Sequence, residues 1–251
     1  MVKRVRARRC GIVLQTTGYN NRSLSRNLHL NRKSLNTKIV VAALLFLPVN
    51  LYSQNYSPGD NELLLMPTAY TMPENNSYFS DYELLLLNYS YAVTSSTHLS
   101  AFSFFPVTIQ FYESFTMGFK QKVLTYKSVQ SSIYGTFTPK GTAFSFGNVV
   151  SIADGKNSFH FSLGYFRVAE DAKPFIVFMA GLRIDPSEKT SLMFEYENVS
   201  STFEEGSAGM ISIGLRIRST NMSWEIAGMR PLQYSGDLLF IPLLKVGYYF
   251  N

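Results

Sequence analysis

Met210-Ile-Ser-Ile-Gly-Leu-Arg-Ile-Arg218 is the stretch whose reading decides the fold. Ile211, Ile213, Leu215 and Ile217 take every second position; Met210, Ser212, Gly214, Arg216 and Arg218 take the positions between. Successive side chains of a β-strand point to opposite faces, whereas an amphipathic helix returns its apolar residues every three or four positions. The segment is therefore predicted to be a strand with one apolar face and one face of small and charged residues. Working outward, the same alternation recurs. Phe159, Phe161, Leu163 and Tyr165 stand against His160, Ser162 and Gly164. Leu192, Phe194 and Tyr196 stand against Ser191, Met193, Glu195 and Glu197. Phe115, Met117 and Phe119 oppose Ser114, Thr116, Gly118 and Lys120, and Leu244, Val246, Tyr248 and Phe250 oppose Lys245, Gly247 and Tyr249.

From about residue 80 the chain reads as strands: roughly 80–93, 97–106, 110–125, 128–138, 141–152, 157–168, 174–184, 189–199, 208–218, 221–230 and 237–250. The apolar run Glu62 to Met66 is a candidate twelfth. Turn residues separate them, among them Pro139-Lys-Gly141, Asp154-Gly155, Asp185-Pro186, Glu205-Gly206 and Ser235-Gly236. Most of these strands are longer than the usual five or six residues and match the nine to eleven that span a bilayer.

Two all-β architectures share this pattern. A soluble barrel or sandwich turns its apolar face inward, and a transmembrane barrel turns it to lipid. The polar faces here are rich in Gly, Ser and Thr and poor in Lys and Glu. Tyr and Phe gather at strand ends, as interfacial belts require. With 15% aromatic and only 16% charged residues, the composition excludes a disordered chain and a coiled coil. The expected fold is an antiparallel transmembrane β-barrel of about 12 strands. Single-chain bacterial barrels have even strand numbers, so 12 recruits residues 61–67, and the alternative of 10 demotes that run and one of 128–138 or 141–152.

The formal charge of +6 belongs to the leader. Ten of the 23 basic side chains, and none of the 17 acidic ones, precede residue 39, which leaves 13 basic against 17 acidic, a net of −4, for residues 39–251. That balance argues against nucleic acid as a partner. The apolar run Ile39 to Pro48 is too short to cross a bilayer and, behind a basic stretch, reads as the core of a signal peptide with cleavage after Ser53. Residues 1–53 are thus expected to be a basic leader plus signal peptide, and 54–251 the barrel. Cys10, the single cysteine, falls in the leader, so the mature chain has no disulfide or cysteine-based metal site.

The terminus Lys245-Val-Gly-Tyr-Tyr-Phe-Asn251 resembles the C-terminal signal by which outer-membrane barrels are recognised for insertion, with the aromatic Phe250 penultimate rather than last. The segment Met66-Pro-Thr-Ala-Tyr-Thr-Met-Pro73, followed by Tyr78-Phe-Ser-Asp-Tyr-Glu-Leu and Tyr91-Ala-Val-Thr, resembles the opening of porin-like outer-membrane β-barrel proteins of Gram-negative bacteria. The resemblance implies a fold, an outer-membrane location after export, and contact with outer-membrane lipid and the barrel-insertion machinery. It implies no activity.

The inward-facing charges expected for such a barrel are Lys120, Lys122, Arg183, Glu195, Glu197, Arg216, Arg218, Glu225 and Lys245. Unpaired charges in a low-dielectric bore are costly, so they are expected to pair across strands and leave the lumen narrow or plugged. The leading functional reading is a small pore, transport component or structural barrel, without enzymatic activity or cofactor. Two alternatives remain. His160 and Ser162 share one face, and a His beside a Ser hydroxyl can activate it, with Glu195 or Glu197 to orient the imidazole; such a pair would make a hydrolase of outer-membrane lipid. Lipid A deacylases carry a His-x-Ser of this kind, but Leu163-Gly164 follows Ser162 here in place of that family's context. The bland reading of the pair is two polar residues satisfied by neighbours. His98 reads as a headgroup-level or loop residue. The second alternative is a soluble periplasmic barrel holding an apolar ligand inside.

Overall fold

The computed structural model describes residues 56–105, 109–168, 173–199, 209–232 and 240–250. The leader and signal peptide expected over residues 1–53 lie outside the described residues. Twelve strands are described: β1 (Ser77–Tyr82), β2 (Leu86–Thr94), β3 (Thr97–Phe104), β4 (Thr116–Tyr126), β5 (Val129–Thr138), β6 (Ala143–Asp154), β7 (Asn157–Arg167), β8 (Phe175–Ser187), β9 (Thr190–Val199), β10 (Met210–Arg218), β11 (Met222–Pro231) and β12 (Ile241–Phe250). Each pairs antiparallel with its sequence neighbours, and β1 pairs with β12, so the sheet closes into a barrel. Closure leaves no free strand edge.

The twelfth strand is not Glu62 to Met66. The stretch expected as one strand over 80–93 is two, β1 and β2, joined at Glu83-Leu84. Both residues have φ of 59°, and the Leu85 N–H donates to the Tyr82 carbonyl at 2.9 Å. Positive φ at both central residues is the geometry of a type I′ hairpin turn, which ordinarily selects Asn and Gly. Here tertiary contacts hold the strained corner. The Glu83 N–H donates to the Leu244 carbonyl at 2.9 Å, and the Leu244 N–H donates to Glu83 Oε1 at 2.8 Å. The strand expected from residue 110 starts instead with a short helix, α1 (Ile109–Ser114), and β4 begins at Thr116.

The links β2–β3, β4–β5, β6–β7, β8–β9 and β10–β11 have only two or three residues each, and all lie at one end of the barrel. The start of β1 and the end of β12 lie at that same end, paired through Ser77 and Phe250. The other links lie at the opposite end and are longer, except for the three-residue β1–β2 turn.

Side-chain exposure settles which way the faces turn. Ile213, Ile217, Trp224, Ile226 and Leu244 are exposed on neighbouring strands, as are Phe159, Phe161, Leu163 and Tyr165 along β7. Ser212, Arg216, Arg218, Ser223, Glu225 and Lys245 are buried, as are Ser158, His160 and Ser162. A continuous apolar exterior over all these strands is unsuited to water. It is the arrangement of a barrel bathed in lipid, with small and polar residues turned to the bore. The soluble-barrel alternative requires the reverse and is overturned.

Ile226, 62% exposed, lies mid-strand between Leu215 and Leu244. Ile226→Arg should therefore cost about 2–4 kcal/mol in reversible unfolding from vesicles. Leu84→Gly, which removes a Cβ at positive φ, should be neutral or stabilising by up to about 1 kcal/mol in the same assay.

Candidate functional site

The bore is filled by the chain's own residues 56–76, which precede β1. They enter at the short-turn end, where Arg218 Nε donates to the Pro58 carbonyl at 3.0 Å. They reverse direction inside the barrel through a tight turn in which Glu62 bridges Pro67 and the Leu63 N–H donates to the Met66 carbonyl at 2.9 Å. They then return toward the same end, where Asn75 and Asn76 bond the backbone of Ala92 at 2.9 Å. The result is a strap folded back on itself within the wall.

Two properties hold it there. The first is apolar packing against a wall of small residues. Leu63, Leu64 and Met66 are fully buried, with Met193, Val149, Ala227 and Leu243 of the strands around them. A Cβ on Gly181 would stand 2.4 Å from Leu63 Cδ1, and one on Gly214 would stand 2.6 Å from Leu64 Cδ2. Those two glycines are the seats of the leucines.

The second property is backbone satisfaction. A peptide segment inside a closed barrel brings buried N–H and C=O groups that must find partners. Glu195 Oε1 accepts from the N–H groups of Leu64 at 2.7 Å, Leu65 at 3.2 Å and Met66 at 3.1 Å. Arg216 donates to the carbonyls of Gly59 at 2.7 Å, and of Glu62 and Leu63 at 2.8 Å. Lys120 Nζ donates to the carbonyls of Asn61 at 2.8 Å and Thr68 at 3.2 Å. On the returning leg, Ala69 donates to Ser151 Oγ and accepts from Ser132 Oγ, both at 2.8 Å.

Ion pairs complete the cage. Arg216 pairs with Glu225 at 2.9 Å, and Lys245 lies 3.5 Å from the same carboxylate. The strap supplies the other acids. Asp60 pairs with Arg183 at 2.6 Å and lies 3.5 Å from Arg218, and Glu62 pairs with Lys245 at 2.7 Å. Burial pushes the Glu62 carboxyl up. The Lys245 ammonium, with hydrogen bonds from Lys245, Tyr78 and Tyr82, outweighs that and holds it below the ordinary 4.5. Glu197 and Lys122 are half-buried, and no ion pair of either is described.

His160, Ser162 and Glu195 are not brought together. His160 Nδ1 lies 2.7 Å from Ser151 Oγ, and its Nε2 lies 2.9 Å from Ser158 Oγ. Ser162 Oγ bonds the Tyr134 hydroxyl at 2.8 Å, and Glu195 is engaged by the strap's amides. His160 instead braces Ser151, which anchors Ala69. His98 is a strand residue rather than a loop residue, the second of β3. It is buried on the inner face, and its Nε2 accepts the Met72 N–H at 2.7 Å. Among the described residues no group of three His, Cys, Asp or Glu side chains could hold a metal.

The residues that sequence reasoning missed are Asp60, Glu62 and the strap leucines. A signal was present. Leu63-Leu64-Leu65 is a run without alternation, bounded by Pro58-Gly59 and Pro67, and a half-exposed strand would alternate.

No protein-family model and no curated protein sequence matches this chain. Among solved structures the chain is similar to the KdgM porin, at 7% identity and a TM-score of 0.48 over 70% of this chain and 98% of that one. It is likewise similar to the NanC porin, at 10% identity and a TM-score of 0.46 over 70% and 98%. An outer membrane channel from Pseudomonas putida F1 matches at 10% identity and a TM-score of 0.43 over 78% and 100%.

Arg216→Ala would leave Glu225 and three strap carbonyls without their guanidinium, and should destabilise the barrel by about 3–5 kcal/mol. Gly214→Val should unseat Leu64; labelling of a Leu65→Cys reporter by a thiol reagent should then be faster than in the parent. The lowered Glu62 carboxyl stabilises the fold above its unfolded value, and that stability is lost as pH falls through the folded value. The stability difference between the parent and Glu62→Gln should therefore be present at neutral pH and vanish in strong acid, as read by denaturant unfolding.

Proposed function

We propose that this chain is an outer-membrane β-barrel of a Gram-negative bacterium that acts as a small pore or transport component, shut by its own residues 56–76. The observation that carries this reading is what fills the bore. A barrel of about eight strands can be packed by wall side chains alone, and 16–18 strands leave an open aqueous channel. Twelve strands lie between. The wall here presents Gly181, Gly214, Ser132, Ser151 and Ser212 to the interior, residues too small to close the space themselves. A separate peptide closes it, held by charged and hydroxylic side chains that water can equally solvate. Displacing the strap would leave a polar passage, whereas a purely structural barrel has no use for a polar bore of this width. The lipid-hydrolase reading gains no support, because His160 and Ser162 bond different partners.

The outward apolar face supports residence in a bilayer, and the five short turns gathered at one end, with the start of β1 and the end of β12, support the usual topology, with short turns periplasmic and longer loops outside. The barrel-insertion machinery would then read β12, with its aromatic Tyr248 and Phe250 exposed to lipid.

Conductance in planar bilayers tests the proposal. The parent should be silent or open only rarely, and deletion of residues 59–68 should give steady conductance steps. Both forms should migrate differently on gels when unheated and boiled, which verifies closure of the barrel. A well-folded deletion variant that stays silent would make this a structural barrel. Unchanged outer-membrane lipid in a Ser162→Ala strain is expected as well.

A further inference from the structure

Between the strap and the long-loop end lies a cavity of about 390 Å³, within the range of small-molecule sites. Its floor is the top of the strap. Leu63, Leu64 and Met66 point into the wall, but Leu65 at the crest is 37% exposed and lines the cavity. Leu86, Phe102 and Phe166 line it toward the long-loop end, and Lys120 lines it near the floor. The cavity thus has an apolar side, Leu65, Leu86, Phe102 and Phe166, beside polar residues such as Asn88, Ser100 and Thr136, with Lys120 near its base.

Lys120 and the half-buried Lys122 are the two inward cations for which no ion pair is described, and of the two only Lys120 lines the cavity. Arg183, Arg216, Arg218 and Lys245 each have a carboxylate within 4 Å. Among the described residues Lys120 has none; its ammonium meets only the carbonyls of Asn61 and Thr68. An ammonium has three donors, so one remains for a ligand, and among the described residues no carboxylate lies within ion-pair distance of its charge. The nearest acid on the floor, Glu62, is committed to Lys245 and to the hydroxyls of Tyr78 and Tyr82.

From this juxtaposition we infer that the cavity binds a single-chain amphiphile, its anionic head on Lys120 and its apolar body against Leu65, Leu86, Phe102 and Phe166. A bare inorganic anion would leave those walls unused, and a neutral hydrocarbon would leave the ammonium without a counter-charge. A ligand seated there rests directly on the strap, through Leu65 and through the carbonyls that Lys120 holds. It would share the ammonium that fastens Asn61 and Thr68, with the third donor of Lys120 turned to its head. The inference rests on the membrane-barrel reading above but not on conduction.

Binding is measured on the purified full barrel in lipid nanodiscs, with laurate, dodecanol and acetate as probes and empty discs as blank. Laurate should saturate one site, acetate should not bind, and dodecanol should bind more weakly than laurate. Lys120→Met should weaken laurate by about tenfold to a hundredfold, the worth of a hydrogen bond to a charged group, and leave dodecanol unchanged. Leu65→Asp should weaken both. Lys120→Gln serves as a second variant if Lys120→Met fails the heat-shift test of folding. Equal affinity for laurate and dodecanol, an unaltered laurate affinity in the Lys120 variants, or no saturable laurate binding by the parent would overturn the site. A barrel that binds laurate yet never conducts keeps the site and removes the pore; one that conducts without binding laurate does the reverse.

Discussion

A peptide group carried into a closed barrel has no bulk water to bond, and every such group must be met by the wall. This constraint organises the molecule. Glu195 gathers three successive N–H groups of the strap, and Arg216 gathers three carbonyls, so the turn at residues 63–66 is capped from both sides. Without those two side chains the strap would be an uncompensated polar insertion rather than a plug. With them, its leucines can use the space over Gly181 and Gly214.

The same constraint explains why the interior is charged although the exterior is apolar. In a water-soluble barrel, fully buried Arg216, Lys245 and Glu225 would be a heavy cost beside an apolar core. Here the hydrocarbon-rich solvent lies outside, and the bore is the polar compartment. The apolar core lies inside it, as Leu63, Leu64 and Met66 with their wall partners. The molecule has in effect two apolar surfaces, one for lipid and one for its own strap, separated by the thickness of a single sheet.

How much was legible follows from the range of each interaction. Strands such as β7 and β10 were readable because the pleat repeats every two residues and needs no distant partner. The β1–β2 hairpin was hidden, because Glu83-Leu84 lacks the glycine or asparagine that marks such turns and relies on Leu244 across the barrel seam. The helix at 109–114 was hidden in an aromatic stretch that suits a strand equally well. His160 and Ser162 were correctly placed on one face, yet sharing a face did not decide their bonding. Ser151 and Tyr134, on neighbouring strands, took them instead.

What the sequence determined by itself is most of the strands, the partition of each into an apolar and a polar face, and the charges carried on the latter. These are local properties of alternation. The tertiary structure decided which solvent each face meets and what the charges hold. Leu64 and Glu195 are 131 residues apart in the chain, and Lys120 and Asn61 are 59 apart. No pattern along the chain encodes those contacts, because they arise only when the sheet closes and encloses the segment that precedes it.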